Sequence, residues 1–162
     1  MIRAPRRGAR AYAAGVIYRT ATRDDLPAVV ALLADGDDVV DPASVRPGVD
    51  QVRAFETVAG DPRNELLVLE KDGTVVGCIQ ATYIPDLGGD CSERAHLEAV
   101  RVRPDFRHNG FGRLLVTYAI ARARARGCTL VQLTTDKSHI EAQRFCASLG
   151  FVPSHEGFKL PL

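Results

Sequence analysis

Residues 98–113 read Glu98-Ala99-Val100-Arg101-Val102-Arg103-Pro104-Asp105-Phe106-Arg107-His108-Asn109-Gly110-Phe111-Gly112-Arg113, a β-rich run, a polar turn holding two glycines and the start of a long stretch of helix formers. Gly110 and Gly112 let the backbone turn sharply, and the first N–H groups of the helix that follows have no acceptor inside it. A helix start of this kind carries about half a unit of positive charge. It therefore forms a cradle for a pyrophosphate, to which the side chains of Arg107 and Arg113 can add charge. Glycine also closes turns for steric reasons alone, so the pattern by itself admits both readings. Two other phosphate loops fit worse: no Gly-Lys-Ser/Thr follows, and a Gly-x-Gly-x-x-Gly would need glycine where Leu115 stands.

Downstream, residues 112–126 contain no proline and place Phe111, Leu114, Leu115, Tyr118 and Ala121 on one face, which predicts a helix of about four turns stopped at Gly127. Residues 129–134 form a near-continuous apolar run, the pattern of a strand covered on both faces. A helix is predicted over 139–149, with Ala142, Phe145, Cys146 and Leu149 on one face and Gly150 at its end, followed by a last strand over 151–159.

Upstream, the strand of the opening motif begins at His96, after a Gly/Asp-rich loop over 86–94. Residues 65–69 and 75–83 read as a hairpin around Glu70-Lys71-Asp72-Gly73. Residues 16–19 read as the first strand, followed by a capping box at Thr22-Arg23-Asp24-Asp25 and a helix. A loop over 35–48 then precedes a short helix carrying Val52, Phe55 and Val58. The predicted order is β-α-α-β-β-β-α-β-α-β, an α/β fold with a mixed sheet, in which 96–102 is the fourth strand and 129–134 the fifth.

The chain has 162 residues, 46% hydrophobic and 25% charged, as expected of one ordinary globular domain over 15–162 behind a flexible basic arm over 1–14. Net charge is +1, so no global field attracts nucleic acid or an anionic membrane, and neither is an expected partner. The arginine cluster of the arm leaves a local acidic partner open. Cys78, Cys91, Cys128 and Cys146 form no CxxC pair, which predicts a reduced, cytoplasmic chain without a metal.

Two motifs together resemble the GNAT superfamily of N-acetyltransferases. Arg107-x-x-Gly110-x-Gly112 matches its Arg/Gln-x-x-Gly-x-Gly/Ala signature, and Ala142-x-x-Phe145-x-x-x-Leu149-Gly150-Phe151 is similar to its second signature. Element order agrees from about residue 16 to 162. The resemblance implies a mixed, mostly antiparallel sheet splayed between the fourth and fifth strands and flanked by about four helices. It further implies acetyl transfer from acetyl-CoA to a primary amine of a small molecule or peptide, by direct attack in a ternary complex. The pyrophosphate would lie on Arg107, His108, Asn109, Gly110, Phe111, Gly112 and Arg113. The pantetheine arm would pair with Val100, Arg101 and Val102, and a backbone N–H, that of Val100, would hold the oxyanion.

By the same resemblance Glu98 is the candidate base, with His96 two residues earlier as the alternative. Many relatives carry Tyr where this chain has Cys146, as the acid for the departing thiolate. The thiol either replaces it or only packs, in which case water or Tyr83 is the donor. His139 stands where relatives often have Asn. The acceptor pocket would be built from 35–48, 86–94 and 153–159. There Asp37, Asp38, Asp41, Asp86 and Asp90 suit a cationic amine or merely solubilise loops, and His155, Glu156 and Lys159 are further specificity candidates. The second half also looks like members related to aminoalkylphosphonate acetyltransferases. A non-catalytic acyl-CoA sensor or partner-binding module is the alternative function, and a homodimer stays open.

Overall fold

The computed structural model describes residues 10–13, 15–34, 38–88 and 92–162. Its elements are β1 (Arg10–Ala13), β2 (Val16–Thr20), α1 (Leu26–Leu33), α2 (Val49–Gly60), β3 (Asn64–Lys71), β4 (Thr74–Pro85), β5 (Glu93–Val102), α3 (Phe111–Arg126), β6 (Leu130–Leu133) and α4 (Ile140–Ser148). They form one sheet in the order β1-β2-β3-β4-β5-β6. Neighbours are antiparallel except β5 and β6, which run parallel. The fourth and fifth strands of the sequence reading are thus β5 and β6.

Two expectations are corrected. Arg10–Ala13, which the sequence places in the flexible arm, pairs through its backbone with β2 as an edge strand. Residues 1–9 and 14 lie outside the described residues. The final strand expected over 151–159 does not form. Phe151 packs against the core, but Val152 and Phe158 are exposed, and Pro153 and Gly157 break any run long enough to pair.

Both faces of the sheet are covered. One carries Leu67, Leu69, Ile79, Ala81 and Leu97 against Leu115, Val116, Ala119 and Ala123 of α3, with Tyr18 stacked on Tyr118 at 4.8 Å. The other carries Val68 and Cys78 against Val29 and Leu32 of α1 and Phe55 of α2. Strand alternation sends successive residues of β3 and β4 to opposite layers, so both strands are apolar throughout their middles. In α3 the buried stripe differs from the one predicted: Val116, Ala119 and Ala123 join Leu115 and Tyr118, whereas Leu114 and Ala121 face outward. The β3–β4 turn closes tightly because Asp72 and Gly73 both take left-handed backbone angles, φ 49° and 82°. β6 also departs from expectation, since Leu130 is exposed and Val131 and Leu133 are only half-buried.

Polar groups lock the start of the fold. Arg19 on β2 donates to both oxygens of Asp25, at 2.6 and 2.8 Å, and to Glu70 on β3 at 3.1 and 2.9 Å. Asp25 also accepts from the Thr22 backbone N–H at 2.7 Å, the half of the capping box that the sequence predicts, while the Thr22 hydroxyl donates to the same carboxylate at 2.8 Å instead of accepting from the helix. No helix among the described residues is long and apolar enough to cross a membrane.

Candidate functional site

The site begins where the β5–β6 ladder stops. β6 is only four residues long and pairs with Arg94, Ala95, His96 and Leu97, so residues 98–102 of β5 have no neighbour on that side among the described residues. On its other side β5 carries a bulge. Register jumps from Gln80↔Glu98 to Cys78↔Arg101, and Ala99 takes φ 52°, a left-handed angle uncommon for a residue with a Cβ. The thiol of Cys78 donates to the Ala99 carbonyl at 3.7 Å. Burial pushes that thiol up to about 12, which leaves it protonated and inert.

Beside the open edge lies a groove of about 750 Å³. Its floor is Val100, Arg101 and Val102, with Arg107 on one flank and Ser138, His139, Ile140, Glu141 and Ala142 at the start of α4 on the other. Arg107, which belongs to the lining, leads into the glycine turn. Arg107 Nε donates to the Val102 carbonyl at 3.2 Å, tying turn to strand. His108 and Gly110 are left-handed, φ 61° and 83°. The first α3 bond runs from Leu114 N–H to the Gly110 carbonyl, so the N–H groups of Phe111, Gly112 and Arg113 have no acceptor within the helix. A Cβ at Gly110 would meet open space, whereas one at Gly112 would touch the Phe145 ring at 3.5 Å. That is an ordinary van der Waals contact, so the demand for glycine lies at Gly110, whose left-handed angle sets the turn.

The sequence-predicted residues fall into place unequally. Val100, Arg101, Val102 and Arg107 line the groove, whereas His108, Asn109, Gly110, Phe111 and Gly112 form the turn that follows Arg107 and are not part of its lining. Arg113 contributes its main chain, because its guanidinium donates to Ser148 at 2.8 and 3.3 Å. Glu98, half-exposed, stands at the first position beyond the β6 ladder, and His96 Nε2 lies 3.8 Å from its Oε1. Cys146 is half-buried on α4, where burial raises its thiol above the usual value.

Tyr83 is displaced from the role considered for it. It is buried, donates to Glu65 at 2.9 Å and lies beneath Arg126 at 4.3 Å, and burial followed by the Glu65 charge pushes its hydroxyl well above the ordinary range. Of the acidic loop residues, Asp41 caps a 3-10 turn by accepting from Ala43 N–H at 2.9 Å, and Asp86 accepts from Gly88 N–H at 3.0 Å and pairs with Arg94. Asp38 lines a small recess beside Arg103. Asp37 and Asp90, like Cys91, lie outside the described residues. In the last segment Glu156 pairs with Lys137, and His155 contacts Ser154. Sequence reasoning missed Gln132, whose Nε2 is 3.2 Å from His96 Nδ1, and the bulge at Ala99.

Residues 36–151 match the acetyltransferase (GNAT) family. An amino-acid acetyltransferase of Ectopseudomonas mendocina is 36% identical over 104 residues, 64% of this chain and 22% of that protein. One from Azotobacter vinelandii is 34% identical over 114 residues, 68% of this chain and 24% of that protein. The chain thus spans less than a quarter of the length of these curated relatives. Among solved structures, a transcriptional regulator from Bacillus halodurans is 43% identical with a TM-score of 0.82, covering 91% of this chain and 99% of that one. The complex of AAC(6')-Iy with a CoA bisubstrate analogue shares the fold, at 19% identity and a TM-score of 0.74, covering 91% of this chain and 97% of that one.

Proposed function

Since the chain belongs to the acetyltransferase (GNAT) family, we propose that it moves an acetyl group from acetyl-CoA to a primary amine of a small molecule or peptide, by direct attack in a ternary complex. The observation that carries this reading is the open edge of β5 leading into the glycine turn, with a groove lined by Val100, Arg101, Val102 and Arg107 beside that edge. The donor set fits the cofactor. Unaccepted N–H groups and a helix dipole suit a pyrophosphate, and an unpaired strand edge suits the amides of a pantetheine arm.

Acetyl-CoA, when bound, supplies the activated acyl thioester. The chain's own residues do the rest. Main-chain groups of Val100, Arg101 and Val102 hold the arm in β-like register, and Val100 N–H is the donor for the acyl oxygen. Glu98 takes a proton from the acceptor ammonium, freeing the nitrogen lone pair for attack. Cys146, its thiol kept protonated by burial, donates to the departing thiolate. Cys146→Ala is then expected to lower kcat about 100-fold at an unchanged melting temperature, with Cys146→Tyr retaining turnover. A fall in melting temperature with kcat intact assigns Cys146 to packing and leaves water as the donor. In this reading the enzyme works in the cytoplasm without a metal.

The cofactor site has its own test. Gly110→Asp and Gly112→Asp each put a negative charge at the cradle, and both are expected to weaken acetyl-CoA binding more than tenfold by calorimetry, on protein shown to be folded by circular dichroism. Unchanged affinity in either variant contradicts the placement.

A second reading, an acyl-CoA-binding sensor or partner-binding module, is favoured by Cys146 standing where relatives carry Tyr and by the name of the Bacillus halodurans structure, a transcriptional regulator. Binding of acetyl-CoA without CoA release to any amine is its signature.

A further inference from the structure

Three polar side chains converge where the parallel ladder ends. His96 and Gln132 are cross-strand partners, one rung before the last pair, Leu97↔Leu133. Glu98 follows at the first position beyond it, on the same face as His96. The Gln132 amide nitrogen, Nε2, lies 3.2 Å from His96 Nδ1. With the amide oriented this way its nitrogen donates and Nδ1 accepts. In the neutral ring the proton then resides on Nε2, the nitrogen that faces Glu98 Oε1 at 3.8 Å. The imidazole is only 18% exposed, whereas Glu98 is 52% exposed, so the ring is largely enclosed and the carboxylate reaches the open edge. The Thr82 hydroxyl, on the strand opposite His96, is committed to Asn64 at 2.8 Å and does not compete for the ring.

We propose that Gln132 fixes the tautomer of His96, and that His96 Nε2–H in turn holds the Glu98 carboxylate toward the open edge of β5. Gln132 and His96 are positioning residues, and the proposal rests on the acetyl-transfer reading for the role of Glu98. The arrangement leaves one carboxylate lone pair on His96 and the others for the acceptor ammonium. It thereby separates the group that takes the proton from the group that aims it.

The test reads the tautomer directly. Nitrogen-15 shifts of the His96 ring are recorded on the full chain without ligands, at a pH where the spectrum itself shows the ring neutral. The wild type is expected to carry its proton on Nε2. In Gln132→Glu, which keeps the length but can only accept, the proton is expected on Nδ1, and in Gln132→Leu the ring is expected to populate both tautomers. With a productive amine, both variants are expected to lose about three- to tenfold in kcat with KM for acetyl-CoA unchanged.

A wild-type proton on Nδ1, or an Nε2 proton that persists in Gln132→Glu, overturns the tautomer assignment. A tautomer that shifts while kcat does not overturns the positioning role. If Gln132→Leu does not fold, the near-isosteric Gln132→Glu carries both readouts. Absence of turnover with any amine in the wild type overturns acetyl transfer instead, and the ring spectra still decide the Gln132–His96 contact.

Discussion

Glu98→Gln is expected to lower kcat about 100-fold or more while leaving acetyl-CoA affinity unchanged. The substitution keeps the size of the side chain and removes its ability to accept a proton, and loss of a positioned base typically costs 10² to 10⁴ in rate. Glu98 stands beyond the last β6 pair and outside the turn where the pyrophosphate is proposed, so cofactor binding has no reason to change. The deficit should be largest at low pH, where the acceptor amine is mostly protonated, and shrink as pH rises towards the amine's own pKa. Steady-state turnover from pH 6 to 10 beside an acetyl-CoA titration checks this. Full-rate turnover in the variant would move the base elsewhere, with His96 tested next.

The second large effect is on stability. Asp25→Ala is expected to cost about 3 kcal/mol at neutral pH, because it strips Arg19, 11% exposed, of its bidentate partner and leaves a nearly buried guanidinium with Glu70 as its one carboxylate. Burial by itself would raise the Asp25 carboxyl. The hydrogen bonds from Arg19 and Thr22, with the Arg19 charge, outweigh it and hold the group below the usual carboxylate range. A carboxyl depressed in the folded state contributes stability that is present above its unfolded pKa, about 4, and is lost as pH falls through the folded value. The gap between wild type and Asp25→Ala should therefore narrow below about pH 4. Urea midpoints at pH 7 and at pH 3 measure it, and a loss under about 1 kcal/mol at pH 7 would contradict the account.

What could be read from the chain depended on how local the determining physics was. The turns were legible, because Asp72-Gly73, Gly110, Gly127 and Gly150 all take left-handed angles that their residue types favour within a few residues of chain. The Thr22–Asp25 cap was legible for the same reason. Its partner Arg19 was not, since that contact with Glu70 requires the β2–β3 register. The bulge at Ala99 left no trace, because alanine gives no signal for a left-handed backbone. Gln132 was invisible as a site residue until the parallel register set it opposite His96. The last strand failed for the opposite reason. The strand expected over 151–159 does not form, because Pro153 and Gly157, both visible in the sequence, interrupt it.

The most direct measurement is CoA release. The full chain is incubated with acetyl-CoA and a panel of primary amines spanning amino acids, aminoglycosides, amino sugars and amino-terminal peptides, with free thiol detected and acetylated product weighed by mass spectrometry. The account predicts thiol release above the hydrolytic background with at least one amine, matched mole for mole by acetylated amine. Tight acetyl-CoA binding with no release to any amine would contradict it and leave the sensor reading standing.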